Sequence, residues 1–162
     1  MKTSTIGTFH KRPKSLKSKK KRVAVGGYFS PLHSGHIAYF KAAKALGDHL
    51  IVILNNDQQM QLKRGYILQD ENERKIIIEN LKMVDEVVLS ADTDSSISLT
   101  LSLVMPDIFA KSGDRDKSNC PEYQTCLDLG IEFIDGLINT NTHSSDFIKI
   151  IQEYYISKEI TP

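Results

Sequence analysis

Two histidines three residues apart stand in the run Gly26-Gly27-Tyr28-Phe29-Ser30-Pro31-Leu32-His33-Ser34-Gly35-His36. The short apolar stretch Val23-Ala24-Val25 precedes the glycines, and a helix-favouring stretch, Ile37 to Leu46, follows His36. The order is therefore buried strand, glycine turn, loop and helix start. A helix N-terminus carries unpaired N–H groups and the positive end of the helix dipole, so it suits a phosphate. His33 and His36 at such a terminus can lean toward one anion, and Gly35 between them lets the backbone approach closely. A second polar helix start lies near the C-terminus, where Thr142-His143-Ser144-Ser145 leads into Asp146-Phe147-Ile148. Its hydroxyls and N–H groups suit further phosphate oxygens; the plainer reading is an N-cap by Ser144 or Ser145. A zinc site would need two more ligands, and no suitable His or Cys cluster accompanies the two histidines.

The elements that must position these groups alternate between short apolar strands and helices. Strands are expected at 23–25, 50–54, 87–89, 108–110 and 131–134. Helices are expected at 37–46, closed by Gly47, and at 70–82, with Asp70 as N-cap. Another is expected at 121–129, with Pro121 at its start, Tyr123, Cys126 and Leu127 on one face and Gly130 at its end. The last carries the stripe Phe147, Ile150, Ile151 and Tyr154. Residues 97–103 alternate as a half-buried strand would, but parallel strands need a crossover, so this segment is read as a helix. The rhythm gives an α/β domain with a mostly parallel sheet, whose ligands bind beyond the carboxyl ends of the strands.

The chain has 162 residues, a mass of 18.3 kDa, 40% hydrophobic and 25% charged residues, which suits one soluble domain. No apolar run is long enough to cross a bilayer, and the basic start lacks the apolar segment of a secretory signal, so a cytoplasmic location is expected. Cys120 and Cys126 are too few for a disulfide framework and read as reduced thiols. The net charge of +1 hides an asymmetry: residues 1–22 hold nine Lys or Arg and no acid, and the rest holds twelve basic residues against 20 acids, a balance of −8. Residues 1–21 are accordingly expected to be a disordered basic tail, 22–157 the domain and 158–162 a C-terminal tail. A solvated tail is favoured over an RNA, membrane-surface or import-receptor contact, and nucleic acid would be met only through it.

The segment Gly27–His36 resembles the H-x-G-H motif of the cytidylyltransferase-like nucleotidyltransferase superfamily, whose pattern is close to G-x-F-D-x-x-H-x-G-H. Tyr28 stands where a small Thr or Ser is common, and Ser30 where Asp is common. The resemblance runs over about residues 23–152. Lys44-Ala-Leu-Gly-Asp48 and then Asn56-Asp57 resemble the stretch after H-x-G-H in glycerol-3-phosphate cytidylyltransferases and heptose-1-phosphate adenylyltransferases. Lys63 falls on their phosphate-reaching lysine, Arg74 on their R-x-x-x-L arginine, and Val84-Asp-Glu-Val87 on their V-D-x-V step. Pro106–Asp114 resembles the P-D-x-x-V-K-G-G-D of the heptose enzymes, with Ser112 replacing a glycine. Thr142–Ser145 resembles their I-S-T-T helix start, preceded here by Ile138-Asn-Thr-Asn141 where cytidylyltransferases carry an arginine.

The resemblance implies a Rossmann-like, doubly wound, mostly parallel five-stranded sheet with helices on both faces. It implies transfer of AMP or CMP from ATP or CTP, with Mg²⁺, to a phosphorylated small-molecule acceptor, a sugar or polyol, releasing pyrophosphate. His33, His36 and Lys63 would be catalytic. Gly27, Tyr28, Phe29, Gly35, Arg74, Lys111, Gly113, Asp114, Thr142, Ser144 and Ser145 would bind nucleotide, with no protein ligand to the metal. A homodimer is implied. The alternatives are a nucleotide-binding sensor without turnover, and an adenylyltransferase of FAD, NAD or coenzyme A formation.

Overall fold

A computed structural model describes residues 20–113, 116–139 and 142–159. The elements follow as β1 (Arg22–Gly27), α1 (Ser34–Lys44), β2 (His49–Leu54), α2 (Asp57–Arg64), α3 (Glu71–Glu79), β3 (Glu86–Leu89), α4 (Ser98–Val104), β4 (Ile108–Ala110), α5 (Glu122–Leu129), β5 (Glu132–Ile134) and α6 (Ser144–Glu159). The five strands pair in parallel in the order β3-β2-β1-β4-β5. The order reverses between β1 and β4, which makes their carboxyl ends the switch point of a doubly wound sheet.

Strand periodicity splits the core into two layers. Val23, Val25, Leu50, Val52, Leu54, Ile108 and Ala110 face one way, against Tyr39, Phe40 and Ala43 of α1 and Ile78 of α3. Ala24, Ile51, Ile53 and Phe109 face the other way, with Ile97, Leu101 of α4 and Cys126 of α5. Both cysteines are buried and unbridged, as expected. No described helix is long and apolar enough to cross a membrane.

The expected helix over 97–103 forms, with Ile97 and Leu101, four residues apart, buried and Leu99 and Leu103 pointing outward. Asp92 fixes its start by accepting from Leu99 N at 2.8 Å and Thr100 N at 3.0 Å. Several other expectations change in detail. Gly47 does not end α1 as a left-handed cap; a side chain there would meet Lys21 O at 2.6 Å and Val23 Cγ2 at 2.7 Å. Asp70 caps α3 as expected, accepting from Asn72 N and Glu73 N at 2.9 Å, but α3 ends at Glu79 rather than near residue 82. On α5, Leu127 is exposed, and the buried face consists of Glu122 and Cys126 with Tyr123 and Leu129 half-buried beside them. The α6 stripe is also exposed, from Phe147 at 42% to Ile150 at 63%. Residues 1–19 of the expected basic tail lie outside the described residues, and Lys21 joins the domain: its N–H donates to Asp48 Oδ2 at 2.8 Å.

Helix α2 lies between the expected strand at 50–54 and the expected helix at 70–82, where no element was expected. Asn56 caps it through a reciprocal pair with Gln59, and Gly65, at φ 76°, closes it. Gln59 is fully buried and donates to Asp94 O at 2.7 Å and Ser96 O at 2.6 Å, which fixes the 94–96 loop against α2.

Candidate functional site

The carboxyl end of β1 can turn sharply because it carries no side chains. A Cβ on Gly26 would lie 2.3 Å from Ile97 Cδ1, on one face of the sheet. A Cβ on Gly27 would lie 2.8 Å from Phe29 Cζ, on the other. Phe29 itself has a positive φ of 49°, and its ring packs edge-on against His36 at 5.1 Å and Phe40 at 4.9 Å. The glycines thus let Phe29 fold back onto the strand end and brace His36 from behind.

Local chemistry fixes the two imidazoles. His33 is the N-cap of α1: its Nδ1 accepts from Gly35 N at 3.1 Å. His36 reciprocates, its Nδ1 accepting from His33 N at 3.3 Å. The rings stack with centroids 3.7 Å apart. An imidazole that accepts at Nδ1 carries its proton on Nε2 when neutral, so each ring keeps one N–H donor for a ligand. Burial, then His33 and Arg64, pulls the His36 pKa down to about 3. Burial and His143 lower that of His33, against the opposing pull of Asp146. Both rings are therefore neutral donors near neutral pH.

These rings open on a cavity of about 670 Å³. The structure brings His33, His36 and Lys63 to its wall, together with Gly27, Tyr28, Phe29, Gly35, Lys111, Gly113, Thr142, Ser144 and Ser145. Lys63 stands over the Tyr28 ring with Nζ 4.5 Å from the centroid, and Tyr28 Oη donates to Gln59 O at 3.4 Å. Ser144 Oγ donates to Pro31 O at 3.1 Å, and Phe147 stacks near His33 at 6.0 Å. These contacts tie the start of α6 to the histidine loop. Gly113, at φ 74°, donates its N–H to Ile138 O at 3.1 Å, and Ser112 Oγ donates to the same oxygen at 2.8 Å.

Arg74 goes elsewhere. It is 1% exposed and does not line the cavity. Its Nε donates to Gln69 O at 3.0 Å, Nη1 to Tyr28 O at 3.0 Å and Asn55 O at 2.8 Å, and Nη2 to Asp57 Oδ1 at 2.8 Å. It clamps the glycine turn to the start of α2, which corrects its expected place among the nucleotide contacts: protein acceptors occupy its donor fork. Asp114 lies outside the described residues.

Wall residues that the expected site did not include are Arg64, Asn55, His143 and Glu122, among others. Arg64, the last residue of α2, donates from Nη1 to Ser30 O at 2.7 Å. Asn55 donates its backbone N–H to Gly27 O at 3.0 Å and lies at the end of β2. His143 stands at the start of α6. Glu122, at the start of α5, is 4% exposed and lies 3.8 Å from Lys111 Nζ. Burial pushes the Glu122 carboxyl up, but Lys111, the Cys120 thiol and the Ile97 N–H together outweigh it and hold the group ionised. The Asn56-x-x-Gln59 cap pattern and Gly65 could have revealed α2 and hence Arg64.

The donor set is imidazole N–H, ammonium, guanidinium, hydroxyl and backbone N–H, which suits phosphate oxygens. Among the described residues no group of three His, Cys, Asp or Glu side chains is arranged to hold a metal ion.

The chain is 33% identical over 141 residues to the FAD synthase of Picrophilus torridus, covering 83% of this chain and 98% of that relative. It is 35% identical over 102 residues to the bifunctional protein HldE of Campylobacter concisus, covering 62% of this chain but 21% of that relative. A crystal structure from Thermoplasma volcanium, described as a lipopolysaccharide core biosynthesis protein, superposes with a TM-score of 0.61 at 32% identity, over 72% of this chain and 95% of that one. The family model described as cytidylyltransferase-like matches residues 24–149, from β1 through the histidine turn into α6. By that match the chain belongs to the cytidylyltransferase-like family of nucleotidyltransferases.

Proposed function

We propose that this protein transfers AMP from ATP to FMN, forming FAD and releasing pyrophosphate. The relative matched over nearly its whole length is an FAD synthase. The observation that carries the acceptor is that near-full-length match. At the cavity, Leu62 beside Lys63 lines the wall at 64% exposure, and an exposed apolar side chain there suits a planar ring better than a sugar.

In this reading an oxygen of the FMN phosphate attacks the α-phosphorus of ATP. The new O–P bond forms as the bond to the β-phosphate oxygen breaks, and pyrophosphate leaves with the electron pair. No covalent bond to the protein is needed. His33 and His36 donate their Nε2–H groups to α- and β-phosphate oxygens. Lys63 clamps the acceptor phosphate or the triphosphate, with Arg64 adding positive potential. Thr142, Ser144 and Ser145 hold the distal phosphates at the α6 start. Lys111, Gly113 and the β1 turn, with Gly27, Tyr28, Phe29 and Gly35, flank the nucleotide. Mg²⁺ would enter held by the triphosphate oxygens and would shield their charge; among the described residues no carboxylate cage is arranged to hold it.

The second reading is a sugar 1-phosphate acceptor, favoured by the Pro106–Asp114 resemblance. The test is pyrophosphate release with Mg²⁺, crossing ATP and CTP against FMN, several sugar 1-phosphates and glycerol 3-phosphate, with FAD identified by chromatography. ATP with FMN should react, and His36→Asn should lower that kcat by at least about tenfold. Release with a sugar 1-phosphate and none with FMN replaces the proposal by the second reading. ATP binding without release across the panel replaces it by a sensor.

A further inference from the structure

Opposite the histidines, the wall holds an ammonium beside a carboxylate that is already engaged. Glu122 Oε1 accepts the Ile97 N–H at 3.0 Å, and Oε2 accepts the Cys120 thiol at 2.9 Å. Lys111 Nζ lies 3.8 Å from Oε2, too far for a hydrogen bond. Its side chain is 15% exposed, and it stands 5.0 Å from the centre of the Phe109 ring. Among the described residues, no acceptor lies within hydrogen-bond distance of Lys111 Nζ. The carboxylate thus balances the ammonium's charge without capturing its N–H groups. Its own oxygens are pinned by α4 and by the turn before α5, so it cannot readily swing onto the lysine.

We propose that Glu122 is a positioning residue, which balances the charge of Lys111 at the cavity wall and leaves its donors open to an anionic oxygen of the bound nucleotide. This rests on the reading of the cavity as a nucleotide site. A nearly buried lysine without a counter-charge would bear a heavy desolvation cost, and one hydrogen-bonded to its counter-charge would have to break that contact to bind. The arrangement avoids both. The three elements that build it come from separate parts of the chain: the end of β4, the entry to α4 and the start of α5.

The test is a double-mutant cycle read by ATP affinity, measured by calorimetry with Mg²⁺, so that the identity of the acceptor does not matter. Lys111→Met should weaken ATP binding by roughly tenfold, the loss of one charge-assisted contact. Glu122→Gln keeps an oxygen for the Ile97 N–H but removes the charge, and should also cost roughly tenfold. Adding Glu122→Gln to Lys111→Met should cost less than about twofold more, because Glu122 acts through Lys111. Glu122→Asp retains the charge and should bind ATP better than Glu122→Gln; if Glu122→Gln does not melt cooperatively, Glu122→Asp takes its place in the cycle. Losses that multiply in the double variant, or a Glu122→Gln protein that binds like the wild type, overturn the positioning role. A wild-type protein that does not bind ATP overturns the nucleotide reading instead.

Discussion

Acidification should destabilise this protein through His36, and one substitution isolates the effect. Protonating Nδ1 breaks the 3.3 Å bond from His33 N and puts a charge beside His33 and Arg64. The folded-state pKa is about 3, whereas histidine in an unfolded chain titrates near ~6.5. As pH falls, the unfolded chain takes up the proton first. The contribution of the neutral ring is therefore complete above about pH 6.5 and drains away toward about pH 3. At ~1.4 kcal/mol per tenfold, the gap sets an upper bound of about 5 kcal/mol. Partial solvent access to the ring reduces this, and only part of the range lies above about pH 4, so about 2–3 kcal/mol should be lost between about pH 7 and about pH 4. The assay is urea unfolding, followed by circular dichroism, of the wild type and His36→Asn, which keeps an acceptor oxygen for His33 N. Asp85, Asp94, Asp116 and Glu122, also held low, lose stability in the same direction, but equally in both proteins, and cancel in the difference. Stability that falls in parallel in the two proteins would refute the neutral-imidazole assignment.

Arg74→Met should cost about 3–5 kcal/mol in chemical unfolding, because it removes the buried side of an ion pair and leaves Asp57 and three carbonyls without their donor, and Arg74→Lys should not restore it. A stable Arg74→Met protein that has lost only nucleotide affinity would return Arg74 to the ligand. Gly27→Ala should lower turnover at least about tenfold in steady-state kinetics, since its Cβ would displace the Phe29 ring that braces His36. Asp70→Ala should lower unfolding free energy by about 1 kcal/mol through the lost α3 cap, with pyrophosphate release unchanged.

The sheet and the histidine turn were legible because buried parallel strands are short apolar runs and a glycine turn leaves a clear mark. What escaped depended on partners distant in sequence. Helix α2, Asp-Gln-Gln-Met-Gln-Leu-Lys-Arg, has too few apolar residues to show a stripe, and its order comes from Gln59 reaching the 94–96 loop. Arg74 was expected at the nucleotide, and nothing local points instead to its acceptors Tyr28 O, Asn55 O and Asp57, 17 to 46 residues away. On α5 Leu127 is exposed rather than on the buried face, and Glu122 is buried because Lys111, Cys120 and Ile97 stabilise its carboxylate, none of them visible in helical periodicity. The α6 stripe reads as a core face, yet Phe147, Ile150, Ile151 and Tyr154 are exposed, and the first turn meets the domain through Ser144 and Phe147.

The paired glycines at the end of β1 make the sheet one bare backbone thick at its most important point. Ile97 presses on it from one side and Phe29 from the other, with no side chain between them to absorb a misfit. Ile97 also belongs to the Glu122 cluster, and Phe29 to the His36 stack. The two walls of the cavity are thus coupled like plates on a shared hinge pin. A change in bulk on either side would be transmitted across the strand, so neither wall can be redesigned for a new substrate without retuning the other.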